Sequence, residues 1–117
     1  MQHEQDCFVS ATSQHIDFAA AFARLAAADA IEETTTLGGM NVRMVRVAGG
    51  GPGRWDSHSH SAETAIVWSG DFSVEFRNGT VSLTAGQCCV VPVNAEHRGT
   101  SQTGAEVILL TQLLAAR

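Results

Sequence analysis

The stretch that decides the fold is Gly86-Gln-Cys-Cys-Val-Val-Pro92-Val-Asn94-Ala-Glu-His97. A glycine turn opens it, and the apolar run Cys88–Val91 is typical of a strand. Pro92 ends that strand because proline has no backbone N–H to donate. Asn94 tolerates the left-handed backbone of a tight turn. The stretch therefore predicts strand, turn and a new strand that begins at His97.

Short β-type runs surround this stretch, starting with Met40–Val47. Phe72, Val74 and Phe76 alternate with polar residues, as in a half-buried strand. The segments Ser69-Gly70-Asp71 and Asn78-Gly79 are predicted turns, the second a strong hairpin signal. About eight runs, Trp55–His60 among them, follow one another with turns roughly every 8 to 12 residues, which is typical of an all-β sandwich or barrel.

The first 36 residues differ from the rest and predict a helix. The segment from Asp17 to about Ala30 is rich in alanine, and Ser13 or Asp17 would cap its start. Its large apolar residues fall at i, i+4 and i+7, which is one stripe of an amphipathic helix, and we expect that stripe to pack on a sheet: Phe18, Phe22 and Leu25. The predicted organisation is an N-terminal extension with this helix (1–36) and a β-barrel (37–117), one domain overall.

Composition excludes several function classes. The chain has 117 residues, a net charge of −5, and seven basic residues that are all arginine. The arginines are scattered along the sequence, which argues against nucleic-acid binding. Without lysine there is no Schiff base and no P-loop lysine, and without tyrosine there is no tyrosine general acid. An adjacent Cys88-Cys89 pair and a third cysteine, Cys7, do not make a disulfide framework.

The same composition predicts where the chain resides. No apolar run approaches the roughly 20 residues that a membrane-spanning helix needs. The first ten residues lack the basic start and apolar middle of a secretory signal. We therefore expect a cytoplasmic protein without membrane association. The arginine-only basic set and the alanine content are typical of a GC-rich bacterial genome.

Potential metal ligands cluster in the β region. Asp56, His58 and His60 are spaced by two, so on one strand their side chains would share a face. Glu63 follows shortly after, and His97 comes much later in the chain. A closed sheet that brings His97 across to the earlier group would let one metal ion gather these side chains.

The segment Trp55–Arg98 resembles a small single-domain cupin of the RmlC-like jelly-roll superfamily. Gly86 to His97 fits the second cupin motif, Gly-x5-Pro-x-Gly-x2-His, with Asn94 in place of the inner glycine. Glu63-x6-Gly70 fits the end of the first motif. The resemblance implies an all-β fold, a cupin-type double-stranded β-helix (jelly-roll barrel), here with one N-terminal α-helix.

The first motif can be aligned in two registers. Counting back from Glu63 places the motif histidines at Asp56 and His58, whereas taking His58 and His60 as the pair leaves only two residues before Glu63. Both registers keep His58, Glu63 and His97, a two-histidine, one-carboxylate set for a metal. The fourth ligand is Asp56 or His60, and the sequence leaves this choice open.

The resemblance implies a cofactor and a class of function. The cofactor is one divalent transition metal ion (Fe, Zn, Mn or Ni), and the partner is a small organic molecule in the barrel. Oxygenase chemistry or isomerase and hydrolase chemistry would suit such a site. An unligated His60 or Asp56 would act as general acid or base, and Arg98 would contact an acidic substrate. The alternative is a non-catalytic ligand-binding or sensory cupin, with or without a metal.

Strand parity predicts an apolar outer surface. If Glu63 points into the barrel, Ala65 and Val67 do too, and Ile66 and Trp68 point outward. Such a surface would be covered by the N-terminal helix or by a second subunit. Cupins commonly dimerise through this sheet face, and we therefore expect a homodimer.

Overall fold

The computed structural model describes residues 13–113 of the chain. Within that range there are one helix and eight strands, with every sheet pairing antiparallel. Their bounds are α1 (Phe18–Ala27), β1 (Glu32–Leu37), β2 (Met40–Val47), β3 (Gly51–Pro52), β4 (Glu63–Phe76), β5 (Gly79–Thr84), β6 (Cys88–Val91), β7 (His97–Ser101) and β8 (Ala105–Gln112). The predicted all-β jelly roll with one helix is confirmed. The sheet starts at Glu32, before residue 37, because β1 pairs with β2.

The long strand β4 runs through both halves of one eight-stranded sheet. Its first half pairs with β8 and β6, next to β2 and β1, and its second half pairs with β7 and β5. The crossing lies at a register shift between Val67 and Ser69. The predicted turn at Ser69-Gly70-Asp71 is therefore wrong as a chain reversal, because these residues continue the strand through its bend. Gly70 adopts φ +83° there and packs against the backbone of Gly104, which leaves no room for a side chain.

Two apolar clusters hold the fold. One fills the barrel between the two halves of the sheet: Ala65, Val67, Phe72, Val74, Leu83, Val91, Ala105 and Val107. The other lies between α1 and the outer face of β2 and β8: Ala21, Phe22, Leu25, Val42, Met44 and Ile108. Alternate residues of one strand serve the two clusters, so the predicted inward and outward parity of β4 is confirmed.

The helix covers much of the outward apolar surface. Asp17 caps it by accepting a hydrogen bond from the backbone N–H of Ala20 at 3.0 Å. Phe22 stacks on the Trp68 ring with 6.4 Å between centroids, and Phe18 contacts the same ring. The predicted packing of the apolar stripe on the sheet is confirmed. No helix in residues 13–113 is long and apolar enough to span a membrane.

Asp71 organises the bend of β4 with its carboxylate. It accepts hydrogen bonds from the hydroxyl of Thr103, from the backbone N–H groups of Gln102 (2.8 Å) and Thr103 (3.0 Å), and from the hydroxyl of Ser101 (3.2 Å). These donors, the Thr103 hydroxyl first, hold the pKa of Asp71 well below its ordinary value. The carboxylate thus ties the turn between β7 and β8 to the bend.

We predict that Asp71→Asn lowers the melting temperature at neutral pH, because a single amide oxygen replaces two oxygens that serve four donors. The pH dependence has a defined sign. The native pKa of Asp71 is depressed, so its stabilisation is present above the ordinary aspartate pKa and disappears as the pH falls towards the native one. Thermal melts between pH 7 and pH 2 should therefore show a smaller acid-induced loss of stability in the variant.

Asp29→Asn is the matched control. Asp29 has a fully exposed side chain, and its ion pair with Arg46 at 3.7 Å is a surface pair that contributes little. Its left-handed φ of 50° is one that asparagine also tolerates. Its melting temperature should follow that of the wild type at every pH. Equal acid sensitivity of Asp71→Asn and the wild type would contradict the role given to the Asp71 carboxylate.

Candidate metal centre

Three of the predicted ligands converge at one end of the barrel interior. One donor atom each from His58, Glu63 and His97 lies within 4.8 Å of the others. Glu63 is the first residue of β4 and His97 the first of β7, so the two sheet halves face each other at this point. Glu63 and His97 are buried at 7% and 8% exposure, respectively. The barrel thus brings together side chains that are far apart in sequence.

The segment that carries His58 is not the strand that its alternating pattern predicts. Only Asp56 forms a bridge, exchanging two backbone hydrogen bonds with His97 at 2.8 and 2.9 Å. The carbonyl of His58 accepts a hydrogen bond of 2.7 Å from the backbone N–H of Asn94, which has the predicted left-handed conformation (φ 65°). The prediction of one strand over Trp55–His60 is therefore wrong. His58 is instead held in place by its backbone hydrogen bond with Asn94, a residue of the second motif.

The distances between the donor atoms fit a metal ion. Oε1 of Glu63 lies 3.5 Å from Nε2 of His58 and 3.8 Å from Nε2 of His97. Two donors that each lie about 2.1 Å from a tetrahedral ion are about 3.4 Å apart. The imidazole planes of His58 and His97 are tilted by 52°, with 5.0 Å between their centroids. Two imidazoles and one carboxylate are a donor set that suits a divalent transition metal.

A hydrogen bond fixes the orientation of His97. Its Nδ1 lies 3.0 Å from the carbonyl oxygen of Ala95. A carbonyl can only accept, so Nδ1 carries a proton and donates it. In the neutral imidazole the lone pair is then on Nε2, the atom that faces Glu63. Metal-binding histidines characteristically have such a second hydrogen bond, which sets the tautomer and the direction of the ring.

Neither candidate for a fourth ligand belongs to the three-residue group. Asp56 is exposed, and its Oδ1 accepts a hydrogen bond of 2.8 Å from the backbone N–H of Ser57. His60 is also exposed, in the bend after His58. Asp56 lines the cavity beside the group, whereas His60 is not among the lining residues. The fourth ligand therefore stays a prediction for either residue.

A cavity of about 340 Å³ adjoins the three ligands. Most of its wall is apolar and comes from alternate, inward-facing residues of the strands: Val45, Val47, Ala65, Phe72, Val74, Val91 and Leu109. Its volume falls in the range of small-molecule sites, which are typically apolar with a few placed polar groups. The three candidate metal ligands, His58, Glu63 and His97, are polar groups of this kind on its wall.

The predicted substrate contact Arg98 also lines the cavity, but its guanidinium has other partners. It donates to Oε1 of Glu75 at 3.0 Å and lies 4.6 Å from the centre of the Trp55 ring. Arg77 covers the same ring at 3.8 Å. These contacts fasten the start of the His58 segment to β4 and β7. The role of Arg98 towards a substrate stays a prediction.

The two described cysteines lie on β6 as predicted, one on each face. Cys88 is exposed, and Cys89 packs against the interior cluster. Burial raises the pKa of the Cys89 thiol, and a raised pKa keeps it in the unreactive protonated form. Cys7 lies outside the described residues. No role in chemistry follows for Cys89.

Known structures share this architecture. Protein NMB1881 from Neisseria meningitidis is 24% identical, with a TM-score of 0.73 over 86% of this chain and all of that one. A cupin-2 domain containing protein from Shewanella frigidimarina is 21% identical, with a TM-score of 0.64 over 93% of this chain and 91% of that one. A sugar phosphate isomerase from a cupin superfamily, from Silicibacter pomeroyi, is 18% identical, with a TM-score of 0.58 over 67% and 53% of the two chains. These similarities show the fold alone.

The sequence itself identifies the family. No curated protein matches it. The family model described as "Cupin domain" matches residues 43–112, more than half of the chain, and this range contains both halves of β4 and all three converging side chains. The chain belongs to the cupin domain family.

Proposed function

We propose that this cupin is a metal-dependent enzyme that acts on a small organic molecule in its barrel. The observation that carries the proposal is the convergence of His58, Glu63 and His97 beside a partly open, mostly apolar cavity. A three-ligand set of two histidines and one carboxylate leaves coordination positions open, which is the arrangement of catalytic rather than structural metal sites. Oxygenation and isomerisation or hydrolysis are the reaction types that fit.

The protein groups would divide the work as follows. When bound, the metal supplies Lewis acidity or, as Fe(II), oxygen chemistry. Glu63 contributes the only negative charge of the three ligands, and Ala95 holds the His97 ring in its orientation. The apolar wall would keep water from the buried side of a bound molecule, which strengthens electrostatic interactions there. Asp56, which lines the cavity, or His60 would act as the acid or base outside the three ligands.

A non-catalytic ligand-binding role is the second candidate, and one observation favours it. Among the described residues that line the cavity, Asp56 is the one carboxylate outside the triad, and the N–H of Ser57 already occupies its Oδ1. A binding module needs no proton transfer. Turnover assays with Fe(II) and oxygen, or with Zn(II), Mn(II) and Ni(II), separate the two roles. The homodimer and the cytoplasmic location remain predictions.

We predict that the purified protein binds one equivalent of a divalent transition metal. Binding to the native state alone stabilises it by about 2.7 kcal/mol at a free metal concentration of 100 Kd. For a domain of this size that corresponds to a rise in melting temperature of roughly 10 °C. Metal analysis after gel filtration and thermal melts with Fe(II), Zn(II), Mn(II) and Ni(II), each against a chelator-treated control, measure both quantities. Stoichiometry near zero with no thermal shift for any of the four would refute the metal site.

A further inference from the structure

The cations of this chain are concentrated at the cavity. Sixteen residues line it, about a seventh of the chain, yet they include three of the seven arginines: Arg43, Arg54 and Arg98. The chain as a whole has a net charge of −5 and contains no lysine. The lining contains two acidic residues, Asp56 and Glu63, of which Glu63 faces the histidines. The lining of this cavity is thus enriched in arginine relative to the rest of an acidic chain.

The three arginines differ in what their guanidinium groups contact. Arg98 donates to Glu75 at 3.0 Å, and Arg43 to Oε1 of Glu32 at 3.0 Å. Both are therefore neutralised by a carboxylate outside the cavity lining. Within residues 13–113, no carboxylate lies within 4.0 Å of the Arg54 guanidinium, and no side-chain hydrogen bond engages it. Among the three arginines, the exposed Arg54 is therefore the one that has no carboxylate partner in the described part of the chain.

The position of Arg54 relative to the metal candidates is set by the backbone. The N–H of Gly53 donates to the carbonyl of Gly99 at 2.8 Å, and Asp56 is paired with His97. Arg54 lies between these two anchors, so its chain segment runs alongside β7. The backbone of Arg54 is therefore at most about 6.6 Å, the span of two extended residues, from that of Asp56. Arg54 and His97 line the same cavity.

We infer that the cavity binds a small aliphatic carboxylic acid, with its carboxylate on the guanidinium of Arg54 and its hydrocarbon part against the apolar wall. A guanidinium presents two parallel N–H donors that match a carboxylate. The hydrocarbon chain would pack against apolar side chains of the cavity wall, among them Val45, Val47 and Leu109. The inference rests on the proposed function in that both place the ligand in the same cavity, and it names the ligand class.

The test uses butanoate, hexanoate and octanoate as probes in isothermal titration calorimetry. We expect at least one of them to bind the wild-type protein, both after chelator treatment and after loading with Zn(II). Arg54→Gln should weaken that binding at least tenfold in both forms, since it removes a charge-assisted pair. Arg54→Lys should fall between the two, because an ammonium keeps the charge but loses the paired donors. Inorganic phosphate should bind more weakly than the carboxylate, because it gains nothing from the apolar wall.

Two controls separate a lost contact from a damaged cavity. Arg24→Gln removes the same charge from the exposed face of α1, where Arg24 pairs with Glu33, and should leave carboxylate binding unchanged. The neutral alcohol of the same chain length as the tightest carboxylate should bind wild type and Arg54→Gln alike. Loss of alcohol binding in Arg54→Gln would mean that the substitution has changed the cavity itself. In that case Arg54→Lys is the test of the inference, which requires its carboxylate affinity to be below that of the wild type.

The outcomes distinguish this inference from the metal proposal. If none of the three carboxylates binds at concentrations up to about 10 mM while Zn(II) binds, the inference is overturned and the metal site stands. Equal carboxylate affinity in wild type and Arg54→Gln, or phosphate binding in place of carboxylate binding, also overturns it. If metal binding fails but Arg54→Gln still weakens the carboxylate, the inference stands without the metal.

Discussion

Replacing Glu63 with Gln is expected to abolish metal binding at micromolar concentrations. The substitution keeps the shape of a side chain that is 7% exposed but removes the one charged ligand of the group. Replacing a residue that only hydrogen-bonds to a metal ligand typically lowers metal affinity about 10- to 100-fold. Loss of a ligand itself should lower it by more than about 100-fold. His58→Ala and His97→Ala each remove one of the two imidazoles and should have similar effects. Equilibrium dialysis against Zn(II) with metal analysis measures the loss.

The control variant is His15→Ala. His15 is exposed outside the barrel site, and its replacement should leave the affinity unchanged. His60→Ala and Asp56→Asn test the two alternatives for the fourth ligand. Without metal, Glu63→Gln should melt at the temperature of the metal-free wild type, which separates lost binding from misfolding. Retention of full metal affinity by Glu63→Gln would disprove the three-residue centre.

Phe22→Ala should give the largest loss of stability in the described chain. Phe22 is 2% exposed, lies between α1 and the sheet, and stacks on Trp68. Truncation of a buried phenylalanine typically costs about 3–5 kcal/mol, because the transfer free energy of the removed atoms is lost and a cavity is left behind. That is a large part of the roughly 5–15 kcal/mol by which domains are stable. Urea unfolding followed by circular dichroism would measure the difference.

Phe18→Ala is the comparison for that experiment. Phe18 contacts the same Trp68 ring but is only half-buried, so its truncation should cost clearly less than that of Phe22. A cost below about 1 kcal/mol for Phe22→Ala would show that α1 unfolds independently of the barrel. The helix would then not be part of the cooperative unit.

The elements that the sequence predicts well are those whose signals are local. The apolar strand Cys88–Val91, the left-handed Asn94 and the helix capped by Asp17 each depend on neighbours within a few residues. The convergence of Glu63 with His97 was predicted through the cupin motifs. The resemblance of those two motifs to a known family implies a closed barrel, whereas no local pattern in the sequence indicates that closure.

The elements that the sequence predicts poorly depend on distant partners. The polar strand β1 (Glu32–Leu37) has no apolar run, and its pairing with β2 makes it a strand. The alternation of Asp56, His58 and His60 has the correct period, but only Asp56 meets a partner backbone. The donors to Asp71 come from another turn, about 30 residues later in the chain. Arg43, Val45 and Val47 alternate along β2 and all line the cavity, so this alternation could have indicated that Arg43 faces the interior.

The course of β4 gives a bound ion a mechanical role. Glu63 opens this strand in one half of the sheet, and Phe76 at its far end pairs with His97 in the other half. An ion held by both Glu63 and His97 would therefore cross-link the two walls of the barrel, as a disulfide links two segments, and would close a long loop of chain. Loss of that ion would remove one of the constraints on the walls around the cavity.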